Sequence, residues 1–280
     1  MADMESAFWD RVVAEGHKVP TDRSLADLTS ELTAMLGDTD PRLRDGIAYE
    51  VLATWVSEGV YDDLLQGLGD GMAAGLMVGI GERGTDTVFR RSFSALILAE
   101  CVSRDTEMRV VPPDTILRWG DRAAGWLVRE RDVRGYVHGK GWAHAVAHGA
   151  DVLATLAQSP ALGRLELTVL LDVIADRVLS ESDRLLHGED DRLALATMQI
   201  LRRDLLGTDV VDPWLARLAA KAQPDFERAS DPYAVAGNVQ PFLRALHLQL
   251  ALAPKPPAQR ADLLLTLIDH LKLANPHFLG

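Results

Sequence analysis

From end to end, apolar residues in this chain recur at intervals of three and four and almost nowhere at intervals of two. That rhythm belongs to α-helices with one buried face, and it confines the chain to helix-on-helix packing. Segments that carry it run over 3–15, 24–36, 41–58, 61–78, 86–104, 113–131, 141–157, 163–181, 190–206, 212–222, 231–252 and 257–274. The breaks between them hold stop and start chemistry. Asp40-Pro41 offers an N-cap followed by proline at the first helical position, and Gly59 falls just past the end of that segment. Asp212-Pro213 and Asp231-Pro232 repeat the start signal, while Asp114, after a proline pair, and Ser182 or Asp183 mark other boundaries. The β-branched runs are short and do not alternate, so no strand is expected.

About twelve helices joined by short loops predict an all-α fold of stacked antiparallel helix pairs, with pairs about 40–50 residues apart, the period of HEAT-type solenoids. Such pairs wind into a right-handed superhelix. Asp40-Pro41-Arg42-Leu43-Arg44, followed by Ala48 and Leu52, has the form of the second helix of such a repeat; 85–91 and 190–193 echo it loosely. No linker or low-complexity tract interrupts the pattern, so one continuous domain over 1–280 is expected, with 207–280 packing as a distinct layer. Stacked pairs curve, and polar loops distant in sequence converge on the concave face.

The stretch 134–151 is the most suggestive of a site. A Gly-rich, basic, aromatic loop (Arg134 to Gly141) runs into the segment that carries His144, His148 and Asp151. At spacings of four and three these side chains share one helical face. Trp142, Val146, Gly149, Leu153 and Leu156 would form the opposite, apolar seam, and the flanks are mostly alanine. No Lys, Glu or Arg falls between Gly141 and Gln158, so the helix is expected to be buried and its polar stripe to line an internal pocket. Three roles fit that stripe: hydrogen bonding to neighbouring helices, ligand or proton handling, and ligation of a divalent transition metal.

Composition narrows the partners. A net charge of -12 argues against general nucleic-acid binding. The single cysteine, Cys101, fits a reducing compartment and excludes an internal disulfide. The first residues lack the basic start and apolar core of a signal peptide, and no apolar run is long enough to span a bilayer; a cytoplasmic location is expected. Between Arg118 and Lys140, however, basic residues outnumber acids, and Trp119, Trp126, Tyr136 and Trp142 fall beside them. Arg134 and Lys140 are candidate holders of an anionic group there, with Tyr136 or Trp142 able to stack on a flat ligand, unless these arginines simply pair with acids on adjacent helices. Two loops are candidate companions: 79–86, with Glu82 and Asp86, and 187–192, with His187, Glu189, Asp190, Asp191 and Arg192. The plainer role for acids at a helix start is capping.

These segments together resemble a bacterial family known as domain of unknown function 2785. The resemblance rests on Leu43-Arg44-Asp45 with Tyr49 and Trp55, on 79–82, on Thr85-Asp86 and Val88-Phe89, and on 91–94. It continues through Asp132 to Val137, 141–145, Ala147-His148 with Asp151, 188–190 with Arg192, Asn238-Val239 and 242–244. It implies an all-helical, HEAT-like fold and assigns no activity. It places Glu82, Asp86, Arg91, Arg134, His144, His148 and Asp151 among the shared polar positions. His138-Gly139-Lys140 departs from the family pattern, in which an acidic residue is commoner, and makes the loop more basic.

Two functions follow as expectations. In the first, a helical-repeat protein presents a concave pocket that takes a small polar or anionic molecule or an acidic peptide, lined by Arg91, Arg134, Tyr136, Lys140, Trp142, Asp190 and Arg192. The alternative is a metal-dependent hydrolase or lyase in which His144, His148 and Asp151 hold the metal and Glu82 or Asp86 supplies the base. Residue 145 is alanine, so the chain lacks the HExxH arrangement of zinc peptidases, and no Walker-type phosphate loop is present.

Overall fold

The computed structural model describes residues 2–180, 183–227 and 231–279 and is all-α apart from one small hairpin. The helices are α1 (Ala2–Ala14), α2 (Leu25–Met35), α3 (Pro41–Leu43), α4 (Glu50–Ser57), α5 (Leu65–Gly75), α6 (Thr87–Met108) and α7 (Pro113–Arg129). They continue as α8 (Ala145–Gln158), α9 (Arg164–Leu179), α10 (Glu189–Leu201), α11 (Thr208–Ala219), α12 (Ala236–Leu252), α13 (Arg260–Ala274) and α14 (Pro276–Leu279). The expected boundary at Ser182 lies outside the described residues.

Consecutive helices pack as pairs, and the pairs line up in two rows. In one row α4, α6, α8, α10 and α12 lie side by side; behind it α5, α7, α9, α11 and α13 do the same. A single cluster of buried apolar side chains runs through both rows, from Trp9 of α1 to Ala274 of α13. Each fully buried Leu, Ile, Val or Phe in it contributes about 1.5–3 kcal/mol. Among the described residues no helix is long and apolar enough to cross a membrane.

Local chemistry explains some of the boundaries. Asp40 accepts a hydrogen bond from the Arg42 N–H at 2.8 Å and Pro41 takes the first helical position, as expected. Ser24 caps α2 by accepting from the Asp27 N–H at 3.1 Å. Other starts differ from expectation. α11 begins at Thr208 and carries Pro213 inside it, and α12 begins at Ala236 with Pro241 inside, so neither Asp-Pro pair opens its helix. The segment expected as one helix over 41–58 is broken by a π-helical stretch, Arg44–Tyr49. That wider turn coincides with a fully buried arginine: Arg44 donates to the carbonyls of Asp38 and Lys140, each at 2.8 Å, and lies over the rings of Phe89 (4.2 Å) and Phe93 (4.9 Å).

The absence of strands is also corrected. Tyr136–Val137 (β1) and Gly141–Trp142 (β2) pair antiparallel, with Tyr136 opposite Trp142, and the Lys140 N–H closes the turn on the Val137 carbonyl at 3.0 Å. The hairpin takes the first residues of the expected helix 141–157, so α8 begins only at Ala145. α8 itself is enclosed as expected, packed by α6 and α10 within its row and by α7 and α9 behind.

Candidate functional site

The site is assembled where the hairpin meets α8. The ladder continues past the strands: the Ala143 N–H donates to the Gly135 carbonyl at 2.8 Å and the His144 N–H to the Arg134 carbonyl at 3.1 Å. These bonds hold His144 at the N-cap of α8 with a left-handed backbone, φ 50° and ψ 35°. The expected single helical face is therefore interrupted at its first member. His148 and Asp151 lie on α8, whereas His144 hangs from the hairpin. Trp142, expected on the apolar seam of the helix, lies instead in β2, exposed, with its ring stacked on His144 at 4.3 Å and an interplanar angle of 27°. Tyr136 meets Trp142 edge-on at 5.0 Å.

His148 is buried behind this layer. Ser92 of α6 donates its one proton to the carbonyl of Ala143 and lies 2.7 Å from the His148 Nδ1. The imidazole must therefore be the donor, with the proton on Nδ1 and a free lone pair on Nε2. Burial, reinforced by His144 and Arg192, pushes the His148 pKa down to about 3, so the ring stays neutral. Ser92→Ala orphans both the Nδ1–H and a carbonyl in a dry interior. The expected loss is about 1–3 kcal/mol, read from urea unfolding, and an unchanged midpoint would show that water replaces the hydroxyl.

His144 faces the head of α10. Its Nε2 is shielded from solvent, has no hydrogen-bond partner among the described residues, and lies 4.0 Å from the carboxylate of Glu189, which is 1% exposed. Glu189 is held by the His187 N–H at 2.7 Å, and the His187 ring stands 6.2 Å from His144 and 5.7 Å from Trp142. Gly135 makes this approach possible, since a Cβ there would overlap the His187 ring. Burial first, then the charge of Arg192 and the nearby His187, lower the His144 pKa to about 4. Arg192 itself is ion-paired with Asp151, whose carboxyl is raised by burial against the pull of that guanidinium. The Tyr49 hydroxyl, 3.3 Å from Glu100, adds a polar edge from the π-helical stretch, and its pKa is raised to about 12 by burial and by the charges of Glu100 and Asp151. His144, His148, His187, Glu189, Asp151 and Arg192 thus form one polar cluster over α8 and α10.

The other expected site residues are engaged elsewhere. Arg91 is fully buried; it grips Glu130 at 2.5 and 2.9 Å and also donates to the carbonyls of Val78 and Gly79 and to the Thr87 hydroxyl. It is a structural clamp, bonded through all three nitrogens and sealed from solvent, which corrects its expected place in a ligand pocket. Arg134 is bound to Asp132 and to the Thr85 carbonyl, and Lys140 to both oxygens of Asp86 at 2.7 Å. Arg134 is thus answered by an acid two residues before it in its own loop, not on an adjacent helix, and Lys140 by the acid at the head of α6; the two do not form a free anion site. Glu82 accepts from the hydroxyls of Thr85 and Thr87, each at 2.8 Å, which holds its carboxyl below the usual range. Glu82 and Asp86 are therefore grouped with threonines and a lysine, not with the imidazoles. Asp190 lies in the first turn of α10, half-buried, beside Glu189.

Among the described residues no three His, Cys, Asp or Glu side chains gather where they could hold a metal ion. Asp151 is turned to Arg192 and the Nδ1 of His148 to Ser92, so the set expected for a metal does not converge on one point. The residues that composition and spacing had not placed beside the histidines are Ser92 and Tyr49. His187 and Glu189 share the acidic loop that flanked the expected site, but only the packing of α10 on α8 brings them to His144.

Comparison with known proteins gives one match. A family model described as "Protein of unknown function (DUF2785)" covers residues 76–248, more than half of the chain, and includes every member of the polar cluster. No curated protein and no solved structure matches the chain.

Proposed function

The chain belongs to the DUF2785 family of proteins of unknown function, and from the geometry at the head of α8 we propose that it is a binding protein with its ligand site at His144 and Glu189. The two helical rows are read as stacked HEAT-like α-α pairs of a right-handed superhelix, in one domain, with the site on the row formed by α6, α8 and α10. One observation carries the proposal: the unpartnered, solvent-shielded Nε2 of His144 opposite the buried carboxylate of Glu189. At 4.0 Å the two are too far apart to bond directly, and an atom at about 2.8 Å from each would bridge them. A buried polar group left without a partner costs about 1–3 kcal/mol, and a ligand that completes it recovers that energy.

The chemistry of the ligand follows from the neighbours. A group that both donates and accepts, such as a hydroxyl or an amide, suits a neutral imidazole facing a carboxylate. Trp142 and Tyr136 offer exposed aromatic surface beside it. Arg192, part-exposed and close enough for its charge to depress both histidines, offers a cation to an anionic substituent. The ligand class is thus a small polar molecule, or the polar end of a peptide, carrying hydroxyl or amide groups with or without an acid.

Thermal melting against a panel of sugars, polyols, amides and hydroxy acids tests this. A ligand at about a hundred times its Kd adds about 2.7 kcal/mol. At about 2–4 °C per kcal/mol for a large domain, the melting temperature of the unaltered chain should rise by roughly 5–10 °C. His144→Ala and Glu189→Gln should lose that rise. A compound that stabilises all three proteins equally binds elsewhere, and a panel without a single stabiliser argues against a ligand site at these residues.

A further inference from the structure

At the C-terminal end of the molecule a cavity of about 700 Å³, whose lining includes His277 but no member of the His144 cluster, lies between the end of α11, the first turns of α12 and α14. That volume falls within the range of about 300–1,000 Å³ typical of small-molecule sites. Phe226, Tyr233 and Phe278 line it and remain half exposed or more, with Phe226 and Tyr233 edge-to-face at 6.3 Å. Exposed aromatic side chains gathered at one concavity mark a binding surface more often than a free one.

The charge of the lining is unlike that of the rest of the chain. Among the described residues no aspartate or glutamate lines the cavity, although the net charge of the protein is -12, and two arginines do. Arg184 lies flat against the first turn of α12, where Gly237 makes room: a Cβ there would collide with its guanidinium. Among the described residues Arg244 is bonded only to amide oxygens, Gln240 Oε1 at 3.2 Å and Asn275 Oδ1 at 3.5 Å, and is paired with no acid. Gln240 in turn donates to the carbonyls of Ala222 and Ala274, at 3.0 and 3.2 Å, and fastens α12 to the ends of α11 and α13. The floor is therefore preformed. The first turn of α12 adds the positive end of its dipole.

We propose that this cavity is a second ligand site, for an amphipathic organic carboxylate whose apolar tail lies on Phe226, Tyr233 and Phe278 and whose acid group meets Arg184 and Arg244. The site is separate from the His144 cluster and does not depend on it.

Calorimetric titration of the whole chain with dodecanoate and 2-naphthoate, with dodecanol and dodecyltrimethylammonium as neutral and cationic counterparts, tests the assignment. The expected result is one saturable site per chain for at least one carboxylate, about tenfold or more tighter than the alcohol. The two acids distinguish an aliphatic from an aromatic tail. Arg184→Gln with Arg244→Gln should abolish that preference while leaving alcohol binding unchanged; both side chains are exposed, so the fold should survive. Gly237→Ala, which displaces Arg184, should weaken carboxylate binding, and His144→Ala should not. Equal affinity for acid and alcohol, carboxylate binding indifferent to the arginine replacements, or no saturable binding at all would overturn the proposal. So would self-association in sedimentation that disappears in Phe226→Ala, since a second copy would then be the occupant.

Discussion

Arg91→Ala is expected to cost about 3–5 kcal/mol, because it strands a buried carboxylate without its cation. Arg91 and Glu130 are both sealed from solvent, and the pair is embedded in further bonds: the Trp126 indole donates to Glu130 at 3.0 Å and the Asp132 N–H at 2.9 Å. Asp132 then holds Arg134 and the Gly84 N–H, so one buried centre joins the end of α7, the head of α6 and the hairpin. Removing the arginine also orphans the carbonyl of Val78, whereas that of Gly79 keeps the Glu82 N–H at 3.0 Å. Guanidinium unfolding reads the loss directly. Arg91→Met with Glu130→Leu should recover only part of it, since the Trp126 and Asp132 donors remain unpaired. A loss of less than about 1 kcal/mol in the single variant would mean that water enters and that the centre is not sealed.

Acid should unfold the protein through its histidines, and His148→Asn should blunt that response. Both His144, at about 4, and His148, at about 3, titrate in the folded state below the unfolded value near 6.5. Between those values the unfolded chain binds protons that the folded one refuses. The stability they supply is therefore complete above about pH 6.5 and falls as the pH drops. Each histidine contributes a slope of about 1.4 kcal/mol per pH unit, both of them down to about pH 4 and His148 alone below that. Asp45, Glu100 and Asp151, raised by burial, act in the opposite sense, and acid stabilises them. The difference between two proteins isolates the imidazole from that background. His148→Asn keeps a donor for Ser92 and cannot be protonated, so its stability curve should be shallower by one proton between pH 6.5 and 4. Parallel curves would show that His148 is not held neutral by the fold.

The sequence made some of this legible and left the rest out of reach for a definite reason. Periodicity finds contacts within one element, so the burial of α8, the start at Asp40-Pro41 and the nearness of His148 to Asp151 could all be read in advance. It is silent on pairs that packing creates. The bonds of Ser92 to His148, of Arg192 to Asp151 and of Arg91 to Glu130 each join different elements, and no spacing announces them. The hairpin escaped for another reason: two residues per strand are too few to alternate, and the one available hint was a glycine-containing loop between Tyr136-Val137 and Gly141-Trp142. Missing it moved Trp142 to the wrong side of the histidines. The Asp-Pro pairs at 212–213 and 231–232 misled for two reasons: Pro213 is tolerated inside a helix where packing compensates for the bond it removes, and Pro232 lies in a turn ahead of α12.

The twisted backbone of His144 sets a limit on how this protein can be improved. L-residues other than asparagine and aspartate sit in that conformation at a cost of about 1–2 kcal/mol, which achiral glycine escapes. Selection for robustness alone would therefore drift toward asparagine or glycine at the head of α8, producing a sturdier molecule that had lost its imidazole. Screens that reward heat resistance alone should be expected to erase the residue on which the proposed ligand site is centred.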